Sequence, residues 1–247
     1  MINQSGIEPI NFVPCDKVLA YTTNRAGGVS EGEFASLNVG DHVGDSPNDV
    51  ATNRARLPFS PRIHWLKQTH SDRVVELPSE QYTADAAYTR RNDCACAVMT
   101  ADCVPVLLAD ASGNTVAAIH AGLQGLKNGI IHNTVERAFS NVNRSQIFAW
   151  IGPHISVAHY ELPDAEGQPF AAVPAAVKPS NKDGKIMLDL GKIAGFQLRR
   201  DNIHEIQFDG RCTYAEAQKL FSYRRSSHRG EPNCGRMVSV IMKIPAV

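Results

Sequence analysis

A chain of 247 residues, 43% hydrophobic and 20% charged, has the composition of a soluble globular domain with a full core. Its 25 basic and 25 acidic residues cancel, which excludes a general electrostatic pull toward nucleic acid or an anionic membrane. No apolar run approaches the roughly 20 residues that span a bilayer, and residues 1–9 lack the charged-then-apolar layout of a signal peptide. A cytoplasmic protein is therefore expected, with small-molecule partners, no nucleic acid and no membrane. The six cysteines then read as reduced thiols and not as a disulfide framework.

In chain order, residues 24–53 come first, rich in Gly, Ser, Asn and Asp, and read as an ordered loop-rich segment. A helix is expected around Val50 and Arg54. Short strands follow at 73–77, 95–99, 104–108 and 116–120, partly alternating and punctuated by Pro or Gly. Cys94 and Cys96 share one face of the second of these and read as small buried apolar residues, in preference to a metal pair. From 129 to 139 the period changes: Ile131, Val135, Ala138 and Phe139 fall at helical spacing. A strand at 147–151 runs into Gly152-Pro153, and helices are expected at 190–200 and 215–221. Residues 237–244 alternate like a strand of the main sheet. No repeat or flexible linker divides the sequence, so one domain over 1–247 is expected. Strands and helices mix without regular βαβ repetition, which favours α+β over a doubly wound sheet.

Three residues carry candidate chemistry. His120 and Cys103 each stand where an apolar segment ends, next to small residues, and Lys67-Gln68-Thr69-His70 adds a second imidazole. Two His and one Cys are a ligand set for a catalytic zinc, with a fourth position open to water whose pKa falls to about 7. Their separations match no local zinc signature, and a satisfied core histidine or a buried inert cysteine is the plain alternative. A second enzymatic reading makes Cys103 a thiolate nucleophile with His120 or His70 as base. In it, Asp102 orients an imidazole or makes a structural hydrogen bond. A blue-copper set also uses two His and a Cys, but none of the nine histidines forms a His-x-His pair. Arg25, with Gly27-Gly28, Ser30, Ser36 and Asn38, reads either as an anion cradle or as a turn-rich loop with a surface arginine. Arg54 has the same ambiguity. Gln68, two residues before His70 on one strand face, is placed to hydrogen-bond a substrate. Arg224-Arg225 reads as a solvated pair.

The chain resembles the laccase-domain family, also known as YfiH-like proteins, multicopper polyphenol oxidases or peptidoglycan editing factors. The likeness rests on Asn24-Arg25-Ala26-Gly27-Gly28-Val29-Ser30, Ser36-Leu37-Asn38-Val39-Gly40, Gln68-Thr69-His70, Thr100-Ala101-Asp102-Cys103-Val104-Pro105-Val106, His120-Ala121-Gly122 and Ile151-Gly152-Pro153. Cys212-Thr213-Tyr214, Phe221 to Arg225 and Gly235-Arg236-Met237 add to it. The resemblance implies mixed β-sheets sandwiched by helices, with His70, Cys103 and His120 as the metal ligands. It also implies a zinc-dependent purine nucleoside phosphorylase acting on adenosine, inosine, guanosine or methylthioadenosine, with adenosine deaminase activity. Arg25, Ser36, Arg54 and Gln68 become the substrate-binding candidates, and a monomer or weak homo-oligomer is expected. The family's other names imply a peptidoglycan-precursor amidase using the same zinc or Cys103, or a copper polyphenol oxidase. A non-catalytic metal-binding protein is the alternative outside enzymes.

Two departures stand out. The family run His-Ala-Gly-Trp-Arg-Gly is here His120-Ala121-Gly122-Leu123-Gln124-Gly125, and the Gly that commonly follows the first His is Ser71. Loss of an aromatic wall and of a positive charge beside the metal predicts weak phosphorolysis with a high phosphate requirement.

Overall fold

The seven residues Val104–Asp110 are all buried, as are the six of Val116–Ala121, and the two strands pair antiparallel. A strand covered on both faces needs no polar alternation, and Val104 to Ala109 is accordingly a continuous apolar run. These strands are the middle of a six-stranded mixed sheet ordered Glu205–Phe208, Ile147–Ile151, Val104–Asp110, Val116–Ala121, Ala86–Thr89, Val74–Glu76. A five-stranded mixed sheet, ordered Ile7–Pro9, Val18–Thr23, Met237–Lys243, Ala95–Thr100, Ile63–His64, packs on one of its faces. The computed structural model describes residues 6–245, so part of the N-terminal stretch read above for a signal lies outside it.

Alternation along each strand sorts the side chains into three layers of core. Between the sheets lie Leu107, Ala109, Val116 and Ala118 of the six-stranded sheet, against Cys96, Val98 and Ile241 of the other. The opposite residues of the same strands, Val106, Leu108, Ala117 and Ile119, face three helices: α2 (Leu123–Asn128), α3 (Ile130–Phe139) and α4 (Leu190–Arg200). On the far side Ala95, Ala97, Met99, Val238 and Val240 meet Val39 and Leu57, which flank α1 (Pro47–Ala55). Each fully buried Leu or Ile contributes about 1.5–3 kcal/mol relative to exposure. A small three-stranded sheet, Glu161–Pro163, Lys185–Leu188 and Val177–Pro179, closes the helical side. The α+β reading, with mixed sheets sandwiched by helices, holds. Among the described residues no helix is long and apolar enough to cross a membrane.

Several expected elements are found: α3 begins after Gly129, whose φ of 82° supplies the left-handed turn between α2 and α3. Met237–Lys243 lies inside its sheet, paired on both sides. Cys94 and Cys96 are buried, and all six cysteines are unpaired. The helix expected at 215–221 is not there. Residues 213–219 form turns, and the helix is α5, Tyr223–His228. Two carbonyls that such a helix would use, those of Tyr214 and Ala217, accept from Arg225 and Arg25 instead. Arg225 donates to the carbonyls of Thr213, Tyr214 and Leu220, and the Arg25 N–H takes that of Lys219. Nor is Arg225 one of a solvated pair, since it is 6% exposed.

Candidate metal centre and its cleft

Register brings the three candidate ligands together. Pro105 pairs with His120 and Val104 with Ala121, so Cys103, one residue before its strand, meets the end of the neighbouring strand. His70 comes from the connection after the Lys67 bridge, which is not a strand as expected; its φ is 59°. Cys103 Sγ lies 3.7 Å from His70 Nε2, the two rings are 4.8 Å apart between centroids, and one ligand atom from each of the three residues falls within 4.8 Å of the others. Gly122 leaves the necessary room: a Cβ there would come 2.8 Å from His70 Cδ2 and 3.0 Å from Cys103 Sγ.

Asp85, which pattern reading passed over, organises this cluster. It is fully buried and precedes the strand Ala86–Thr89. Its carboxylate accepts from the backbone N–H groups of Thr69, His70 and Ser71, from Ser71 Oγ, and from His120 Nδ1 at 2.8 Å. Burial alone would raise its pKa, but the His120 and Ser71 contacts hold it well below the usual carboxylate range. Three successive N–H groups on one carboxylate explain how His70 is kept in a left-handed conformation. A His whose Nδ1–H is given to a carboxylate turns Nε2 outward as a lone-pair donor, the arrangement seen behind metal-bound imidazoles. Ser71 strengthens the device, since the family's usual Gly would lack the hydroxyl donor.

The donor set fits a metal. Burial pushes the Cys103 thiol up, but His120 and His70 beside it bring it down overall. Burial likewise lowers His120, yet Cys103 and Asp85 raise it overall. The metal-free cluster thus stabilises a thiolate beside an imidazolium, so a cation there would displace a proton from a site already arranged for positive charge. Three ligands facing a cleft of about 490 Å³ match the open type of zinc site rather than the closed structural type.

The cleft is lined also by His42, Gln68, Asp102, Tyr160, Tyr223, Arg224 and Arg236. Gln68 reaches it, with its amide bonded to the Met99 backbone at 2.8 Å and 2.7 Å. Asp102 does not face an imidazole. Residues 101–103 bend, Asp102 has φ 108°, and its oxygens accept from Thr213 Oγ1 and the Arg224 N–H. Arg25, Ser36 and Arg54 are not among the lining residues. Arg25 donates to the carbonyls of Ala35 and Ala217 and stacks 4.8 Å from the Phe221 ring centroid. Ser36 Oγ donates to the Arg25 carbonyl and accepts from the Gly28 N–H. Arg54 binds the Val39 carbonyl and Asp41 and lies over Trp65. Leu123 packs on the helical core, Gln124 is exposed, and neither lines the cleft.

Solved relatives share this architecture. A family described as multi-copper polyphenol oxidoreductase laccase matches residues 19–244. A Haemophilus influenzae protein named purine nucleoside phosphorylase is 40% identical over 249 residues, covering 96% of this chain and 98% of that protein. Purine nucleoside phosphorylase YfiH of Escherichia coli is 38% identical over 238 residues, covering 92% and 94%. The crystal structure of Neisseria meningitidis protein NMB0706 superposes with a TM-score of 0.86 at 35% identity, covering 97% of this chain and all of that one. The chain belongs to this laccase-domain family, the YfiH-like proteins.

Proposed function

We propose that this protein is a cytoplasmic, zinc-dependent purine nucleoside phosphorylase that also deaminates adenosine. The observation that carries the reading is the convergence of His70, Cys103 and His120 on one open cleft, in a chain whose relatives are named purine nucleoside phosphorylases. Six unpaired thiols suit a reducing compartment. In phosphorolysis a phosphate oxygen bonds to C1′ of the ribose as the C1′–N9 bond breaks, and the base leaves with the electron pair and gains a proton. In deamination water adds at C6 and ammonia leaves.

When bound, zinc supplies Lewis acidity and lowers the pKa of a coordinated water to about 7. The chain's own groups do the positioning. Asp85 fixes the His120 ring through Nδ1, and through three backbone N–H groups it fixes the loop that carries His70. Gln68 ties the same loop to Met99. Tyr160 also lines the cleft, and burial pushes its phenol, already protonated at neutral pH, further up.

Purified protein incubated with adenosine should give adenine and ribose 1-phosphate with phosphate present, and inosine without it. Release of neither base nor inosine by zinc-loaded protein would overturn the proposal. The lowered Cys103 thiol favours one competing reading, a Cys–His hydrolase acting on peptidoglycan precursors. Alkylation separates the two: Cys103 should react slowly in zinc-loaded protein and faster after chelation. Rapid alkylation with zinc retained would support the hydrolase.

A further inference from the structure

Two arginines face the cleft, and neither has a carboxylate within ion-pair distance among the described residues. Arg224 spends one Nη1–H on the Glu161 carbonyl at 2.9 Å, leaving Nε and Nη2 without a protein partner among the described residues. Its guanidinium lies 5.1 Å from the Tyr160 ring centroid, which holds it in place without neutralising it. Arg236 is anchored by its Nη atoms to Cys234, Gly235 and Asn233, and its guanidinium lies 5.9 Å from the Tyr223 ring. The one carboxylate in the cleft wall, Asp102, has both oxygens engaged by Thr213 and the Arg224 backbone. Among the described residues, Arg224 thus keeps Nε and Nη2 free and Arg236 keeps Nε free. Two half-buried guanidinium groups without a carboxylate partner form an electrostatic demand for an anion beside the cleft, and the planar guanidinium suits a phosphoryl group.

We infer that Arg224 and Arg236 form the phosphoryl-binding clamp of this cleft, the role that sequence reading gave to Arg25 or found missing at Gln124. The inference rests on the phosphorylase reading for its choice of ligand, inorganic phosphate as co-substrate. The phosphoryl group of a nucleoside 5′-monophosphate shares the same chemistry. Arg25 does not substitute, because it is not among the residues that line the cleft.

The test is direct phosphate binding to the zinc-loaded protein by phosphorus NMR, with the phosphate KM of phosphorolysis measured in parallel. Arg224→Gln and Arg236→Gln should each weaken phosphate binding by roughly tenfold to a hundredfold, and Arg224→Lys should recover part of the loss. If Arg236→Gln fails to fold, Arg224→Gln carries the test, because its side chain gives the fold a single carbonyl bond. An unchanged phosphate Kd in the Arg224→Gln protein would overturn the clamp, whatever the activity. Wild-type protein that binds phosphate through Arg224 but cleaves no nucleoside would instead overturn the functional reading and uphold the clamp. Adenosine 5′-monophosphate is titrated as a second ligand. Binding of it through Arg224 with none of free phosphate would overturn the co-substrate assignment.

Discussion

The loop at 24–53 carries one arginine, Arg25, and the cleft wall at 222–236 carries Arg224 and Arg236. All three lie against aromatic rings, yet the two regions use them in opposite ways. In the loop the buried donors close on the protein itself. Asn53 accepts from the Val29 N–H and donates to Ser30 Oγ and to the carbonyls of Ser36 and Asn38, while Arg25 is absorbed by Ala35 and Ala217. In the cleft wall Arg225 is absorbed in the same manner, but its neighbour Arg224 keeps donors facing the cavity. A guanidinium serves as a ligand site only where it lines the cavity and keeps at least one N–H group unspent. Residue type and glycine content do not decide it.

The largest effect expected is at Asp85, where all five donors on one buried carboxylate lose their acceptor. Asp85→Ala should cost about 3–5 kcal/mol in denaturant unfolding and weaken zinc affinity by roughly 10–100-fold. A variant that keeps wild-type stability and zinc affinity would mean that the His70 loop is held by something else. Next comes Asn53→Ala, expected to cost about 1–3 kcal/mol while leaving zinc content and phosphate affinity unchanged. A drop in phosphate affinity in that protein, measured at a temperature where it is fully folded, would break the contrast between loop and wall.

Four strands of the six-stranded sheet were legible, Val104 to Ala109 most plainly because double burial makes it an apolar run, whereas Ala86–Thr89 and Glu205–Phe208 were not. The helix α3 was legible because only its core face is apolar. The three candidate ligands were legible through the family blocks that contain them. Asp85 was not, since nothing near it in sequence marks it. It becomes visible only when Ala86 is paired with Ile119, which sets it beside His120. The misread helix at 215–221 and the different fates of Arg224 and Arg225 share one cause. Long-range capture of backbone carbonyls by a buried arginine leaves no periodic trace.

Smaller effects sharpen the picture. Ser71→Gly, which restores the family's usual residue, should remove the hydroxyl bond to Asp85 at a cost of about 1–2 kcal/mol, because the donor is only half-buried. Zinc should remain, since the three N–H groups and His120 still hold the carboxylate. A full loss of zinc would show that the hydroxyl is essential to the loop. Smallest of all should be the paired change Leu123→Trp with Gln124→Arg. Position 124 is exposed and neither residue lines the cleft, so the phosphate KM of phosphorolysis should stay within about twofold, well under the roughly tenfold effect of a charged hydrogen bond. A fall of that larger size would move the anion site toward α2 and away from Arg224.

His70, Cys103 and His120 are proposed to share one ion. Elemental analysis of wild-type and Cys103→Ala protein, purified side by side, tests it most directly. About one zinc per wild-type chain with little copper is expected, and almost none in the variant, because two imidazoles without the thiolate hold the cation poorly. Full zinc occupancy in folded Cys103→Ala protein would contradict it.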